Sequence, residues 1–94
     1  ERFAKAFAGG KFRIKKWGRI KIISALKQKK ISEFCIKKGL QEIDEKDYIK
    51  TLEEVINKKK ASVKEKNILK KNFKLAAYAI SRGYEAELVW GVLK

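Results

Sequence analysis

At 94 residues, with 45% hydrophobic residues, the chain has material for a single small core, and 25 Lys and Arg against 11 Asp and Glu leave a formal charge of +14. The absence of histidine and the single cysteine, Cys35, exclude a Cys/His zinc site and an internal disulfide, and no imidazole is present for general-base chemistry. No apolar run approaches the length of a bilayer span, so the charge points first to nucleic acid or a nucleoprotein; a merely solubilising basic face and an anionic membrane surface are the competing readings.

Proline is absent, so the elements read as helices with short joints. Residues 1–8 have helical character and begin as though cut from a longer helical protein. Residues 9–18 are the least regular, and a basic loop leading into a helix near Gly18 is expected there. The alternation of Phe12, Ile14, Ile20 and Ile22 leaves a short hairpin as the alternative. From 18 to 28, Ile22, Ile23 and Leu26 mark one helical face with Ile20 at its edge. A break at Lys29 and Lys30 precedes a helix capped by Ser32 and running to Leu40, with Phe34, Ile36 and Leu40 on its apolar side and Cys35 as a buried thiol suited to a reducing cytosol.

Asp44 caps the next predicted helix, residues 45–57, in which Tyr48, Leu52, Val55 and Ile56 recur at i, i+4, i+7 and i+8. The cations Lys58, Lys59 and Lys60 then meet the negative end of its dipole. Ser62 and Glu65 have capping-box spacing and open what reads as the longest helix, to Arg82, with Leu69, Phe73, Ala76 and Ile80 as its inward stripe and Ala77 alongside. Gly83 provides a left-handed stop. A last helix from Glu85 turns Leu88, Val89, Val92 and Leu93 inward, with Trp90 read as a core anchor.

Two stretches share one pattern. At an offset of 53 residues, Ile31 matches Tyr84, Ile36 matches Val89 and Leu40 matches Leu93, so the fold class is all-α, with tandem helical repeats in an elongated arrangement.

The charge is uneven: residues 1–43 hold thirteen Lys and Arg against three Glu, and residues 44–60 balance. Lys11, Arg13, Lys15, Lys16, Arg19 and Lys21 fall within 11 residues, with Lys27 beyond them and Lys37 and Lys38 extending the field. These are the candidate phosphate contacts. The interleaved Phe12 and Ile14 read as buried anchors. Trp17 is either another such anchor or a platform for an unpaired base. Lys70, Lys71, Lys74 and Arg82 form a weaker second patch. Asp44, Glu45 and Asp47 are accounted for by stabilisation of a helix start, and Glu53 and Glu54 by a solvated face. No catalytic, cofactor or metal site emerges.

The residues Arg2, Phe3, Ala4 and Phe7, the run Lys11 to Ile22 around Trp17 and Gly18, the turn from Leu26 through Lys29, Lys30 and Ile31 to Ile36, and the closing Ile80, Arg82, Gly83, Tyr84, Leu88, Val89, Val92 and Leu93 come in an order that resembles the RecX family, bacterial modulators of the RecA recombinase. The resemblance covers essentially the whole chain. It implies a crescent-shaped, all-helical protein without enzymatic activity or cofactor: a middle-type three-helix repeat at 1–43, incomplete at its start, and a C-terminal three-helix repeat at 44–94.

It further implies partners in the RecA filament and single-stranded DNA, and restraint of strand exchange and coupled ATP hydrolysis in DNA repair and the SOS response; a monomer, cytoplasmic and free of membrane, is expected beside it. By resemblance, Lys11, Arg13, Lys15, Lys16 and Arg19 are the first candidates for nucleoprotein contact, and Gly83 with Tyr84 forms a structural turn. Lys30 departs from the glycine common at the family's middle-repeat turn. A general basic nucleic-acid-binding module without a recombinase partner is the alternative on charge alone.

Overall fold

The computed structural model describes residues 1–94 and contains six helices: α1 (Arg2–Lys15), α2 (Arg19–Gln28), α3 (Glu33–Leu40), α4 (Glu45–Lys60), α5 (Ile68–Ser81) and α6 (Ala86–Leu93). There is no strand, so the hairpin alternative fails. The expected loop at 9–15 is also corrected: α1 runs through Gly9 and Gly10 because Ala4, Ala8 and Phe12, spaced at i, i+4 and i+8, are all buried on one face. The molecule is elongated, 46 by 23 by 20 Å.

α1 packs principally on α3, and α5 lies against both α4 and α6. Close approach of α1 and α3 depends on Gly39, where a Cβ would fall 2.7 Å from the Ala4 carbonyl oxygen. One continuous core runs through both halves. Phe12 stacks 5.8 Å from Tyr48, and Tyr48 5.3 Å from Tyr84, which joins the first three helices to the last three.

The 53-residue offset extends to backbone hydrogen bonds. Ile31 N–H donates to the Leu26 carbonyl and Lys30 N–H to that of Lys27; Tyr84 N–H donates to Ala79 and Gly83 N–H to Ile80. Each pair closes a helix with a left-handed residue in the Schellman manner. That residue is Gly83, at φ 100°, in the second turn and Lys30, at φ 61°, in the first. A side chain in the left-handed region costs about 1–2 kcal/mol, partly offset by the extra freedom of an unfolded glycine. Lys30→Gly is therefore expected to stabilise the fold by about 0.5–1 kcal/mol, a rise of a few degrees in Tm by circular dichroism; a fall in Tm would contradict this reading of the turn.

The first helices of the two sets align differently. Ala4, Ala8 and Phe12 correspond to Tyr48, Leu52 and Ile56 at an offset of 44, nine less than 53, and the link between first and second helices grows from three residues, 16–18, to seven, 61–67. Ser62 and Glu65 lie in that extra link, which corrects the capping-box expectation. The Ser62 hydroxyl donates to the Lys59 carbonyl at the end of α4, while Glu65 accepts from the Asn67 N–H. Asn67 is the cap of α5, its side chain accepting from the Lys70 N–H. α4, at 16 residues, is thus the longest helix. Ser32 and Asp44 cap α3 and α4 as expected.

α5 also turns a different face inward. Leu75, Ala76 and Ala79 are buried, whereas Leu69, Phe73 and Ile80 are exposed and Phe73 rests on the half-buried Trp90 at 5.3 Å. Two apolar faces adjoin on this helix, and the small residues of one allow α4 and α6 to approach closely. Phe34 and Ile14 are exposed, contrary to the sequence reading, Ile14 by 78%. Cys35 is a free, half-buried thiol rather than a fully buried one. No helix is long and apolar enough to cross a membrane.

Candidate functional site

The end of α1 and the start of α2 meet the α5–α6 turn through paired backbones. Gly18 N–H donates to the Arg82 carbonyl at 2.8 Å and Ile20 N–H to the Gly83 carbonyl at 2.9 Å. The Tyr84 hydroxyl donates to the Lys16 carbonyl at 2.8 Å, and an Arg82 Nη donates to that of Lys15. Arg19 sits at the centre: its backbone N–H donates to Tyr48 Oη at 2.9 Å, and its guanidinium lies over the Tyr48 ring at 3.9 Å. It also pairs with Glu85 at 2.8 Å and Glu45 at 3.1 Å. Tyr48 in turn donates its hydroxyl proton to Glu85.

The pKa directions agree with this geometry. Partial burial pulls the Arg19 guanidinium down, but the Tyr48 hydroxyl and the Glu85 carboxylate outweigh it and hold the pKa above its usual value. Burial, reinforced by the bond to Glu85, pushes the Tyr48 phenol well above its ordinary range. Burial pushes Tyr84 up to about 12. Arg19 thus serves the junction between the two helix sets, with two carboxylates and a ring already engaging it.

The other cations of the cluster separate by position. Lys11 and Lys21 both lie over the Trp17 ring, at 4.9 and 4.7 Å, and Lys11 and Lys29 lie near Phe7 at 5.5 and 5.8 Å. Phe7 packs edge-on to Trp17 at 6.4 Å. This half-buried aromatic pair with three cations forms one compact face. Arg13, two residues from Lys11 and so about 200° around α1, lies on the far side, back over Gly9. Lys15 is exposed at the end of α1, and Lys27 lies on the open side of α2 beside Ile20 and Ser24. Lys16 instead joins Lys58, Lys59 and Arg82 around a cleft between the helix sets.

The second patch is also divided. Lys70 and Lys71 project from the first turn of α5, Lys74 pairs with Glu65 at 3.5 Å, and Arg82 belongs to the cleft. One seven-residue ridge is therefore replaced by an aromatic-cationic face, a cleft and separate flanking charges.

Residues 1–40, which hold the aromatic-cationic face, match the family model described as RecX, second three-helix domain. This part of the chain is therefore similar to the second three-helix domain of RecX. No curated protein and no solved structure matches the chain. Lys58, Lys59 and Tyr78 escaped the sequence reading as site residues. The lysines were accounted for in part as helix-end charges, and the 4.7 Å approach of Lys59 to the Tyr78 ring spans 19 residues with no local signal.

Proposed function

We propose that this protein is a RecX-type, non-enzymatic regulator that lies along the RecA filament on single-stranded DNA and restrains strand exchange and coupled ATP hydrolysis, acting in the cytoplasm as a monomer. The carrying observation is the RecX match over residues 1–40, which coincides with the most cationic part of an elongated helical array. Repetition of the same helix-closing bonds at an offset of 53 supports a middle-type repeat at 1–43 and a C-terminal repeat at 44–94.

In this reading Lys11, Lys21 and Lys27, with Lys15, Lys16 and Arg13 at the flanks, meet the nucleoprotein, and Trp17 fixes Lys11 and Lys21 rather than stacking on a base. Lys70, Lys71, Lys74 and Arg82 contribute more weakly. Arg19 acts through the junction. The chemistry required is charge density on a firm helical support, with no proton or group transferred.

The test is ATP hydrolysis by RecA on single-stranded DNA with increasing amounts of this protein. Hydrolysis is expected to fall at amounts too small to coat the DNA, and Lys11→Glu with Lys21→Glu should abolish most of that effect while helical content stays unchanged. Hydrolysis unaffected on both growing and preformed filaments would reject the proposal.

A further inference from the structure

We infer that the cleft between the two helix sets binds a phosphate group. The cleft, of about 440 Å³, is lined by Lys16, Lys58, Lys59, Ser62, Tyr78 and Arg82. These residues come from the left-handed residue that ends α1, the last turn of α4 with the link after it, and the end of α5. The junction described above holds the three together. The inference names a phosphate contact outside the Trp17 face and rests on the regulator reading only for the source of the phosphate.

Helix-end electrostatics account for part of this cation cluster but not all of it. Three helix C-termini converge here, each equivalent to about −0.5 charge, so they sum to roughly −1.5. Four side-chain cations exceed this by more than two charges. None of the four has a carboxylate partner: the acids that form ion pairs are engaged with Arg19 and Lys74. Arg82 is held by its bond to the Lys15 carbonyl, yet its Nε is buried without a partner.

Lys59 is steadied over Tyr78 at 4.7 Å, and Ser62 spends its proton on the Lys59 carbonyl, which fixes the link at the rim of the cleft. Tyr78 makes no side-chain hydrogen bond within the protein. A positive, partly preformed cleft with four cations free of ion pairs and a phenol suits a phosphate ester or free phosphate. A carboxylate ligand has fewer oxygens to distribute among four cations.

The experiment is a nuclear magnetic resonance titration of the full chain, first with inorganic phosphate and then with a short oligothymidylate, following backbone amides. Phosphate is expected to shift Lys16, Ser62 and Arg82 selectively. Replacing Lys58→Gln with Lys59→Gln should weaken that binding about tenfold, while Lys46→Gln with Lys50→Gln, the same charge change at the other end of α4, should leave it within about twofold.

If the oligonucleotide shifts the same amides and competes with phosphate, the source is a nucleic-acid backbone. Phosphate binding without competition also supports the site and identifies a small free phosphate as its ligand. Shifts spread over lysines throughout the chain, or equal weakening by the two double variants, would overturn the inference. A filament effect that is absent while the selective phosphate shifts remain would count against the regulator reading and leave this site standing.

Discussion

Gly83→Ala is expected to destabilise the protein by about 3 kcal/mol and lower Tm by roughly 15 °C, because two costs fall on one methyl group. The residue is at φ 100°, where an L side chain is strained. The added Cβ would also lie 2.4 Å from Lys21 Cβ and 2.7 Å from Lys21 N. Lys21 cannot move aside cheaply, since the adjoining Ile20 N–H is bonded to Gly83 itself and Gly18 N–H to Arg82. Gly18 is constrained from the other side, its Cβ position being 2.3 Å from the Gly83 carbonyl carbon.

Gly91→Ala provides the matched control. It lies in α6 with nothing within 4 Å of its Cβ position, so helix propensity alone predicts a gain of up to about 1 kcal/mol. Thermal unfolding by circular dichroism measures both, and a Gly83→Ala protein as stable as the parent would mean that the two helix sets are not clamped at this turn.

Tyr48→Phe is expected to cost about 2 kcal/mol even though the ring remains. Its hydroxyl both accepts from the Arg19 backbone N–H and donates to Glu85, and the residue is fully buried. Removing that oxygen leaves a donor and a carboxylate short of a partner, which costs more than a neutral hydrogen bond is worth. Tyr84→Phe loses one bond, to the Lys16 carbonyl, and should cost about 1 kcal/mol.

The two phenols also set an alkaline limit. Their folded pKa values are raised, Tyr84 to about 12 and Tyr48 in the same direction, so the folded state holds protons that an unfolded tyrosine releases near pH 10. Their contribution is fully present below about pH 10 and is lost as pH rises through the folded values. Urea denaturation from pH 9 to 11.5 should show stability falling above pH 10, less steeply in Tyr48→Phe. An identical pH profile in the variant would show that Tyr48 does not carry this linkage.

Much of the helix pattern was legible because burial and spacing agreed. Tyr48, Leu52 and Ile56 line one face of α4, and Ser32 and Asp44 cap the helices that follow them. The 53-residue correspondence was readable in Ile31, Ile36 and Leu40 against Tyr84, Val89 and Leu93, and the structure extends it to the turn bonds. Failures occurred where local pattern was ambiguous. α5 carries two adjoining apolar faces, and only packing against α4 and α6 selects Leu75, Ala76 and Ala79. Gly9 and Gly10 suggested a loop, but burial of Ala8 and Phe12 on either side keeps α1 continuous.

The candidate site was legible as composition and not as arrangement. Six cations within 11 residues signal a polyanion partner, but helical geometry sends Lys11 and Arg13 to opposite sides and the junction engages Arg19. The contacts that sort them, Arg19 with Glu45 and Glu85 and Lys59 with Tyr78, join residues 19 to 66 positions apart and leave no trace in local spacing.

The most direct measurement is the affinity of this protein for single-stranded DNA, bare and coated with RecA, over a range of salt concentrations. The proposed function predicts tighter binding to the coated strand at every salt concentration, with a shallower salt dependence because protein contacts supplement phosphate contacts. Equal affinity for the two, with the same steep salt dependence, would contradict it and describe a basic module that binds nucleic acid without recognising the recombinase.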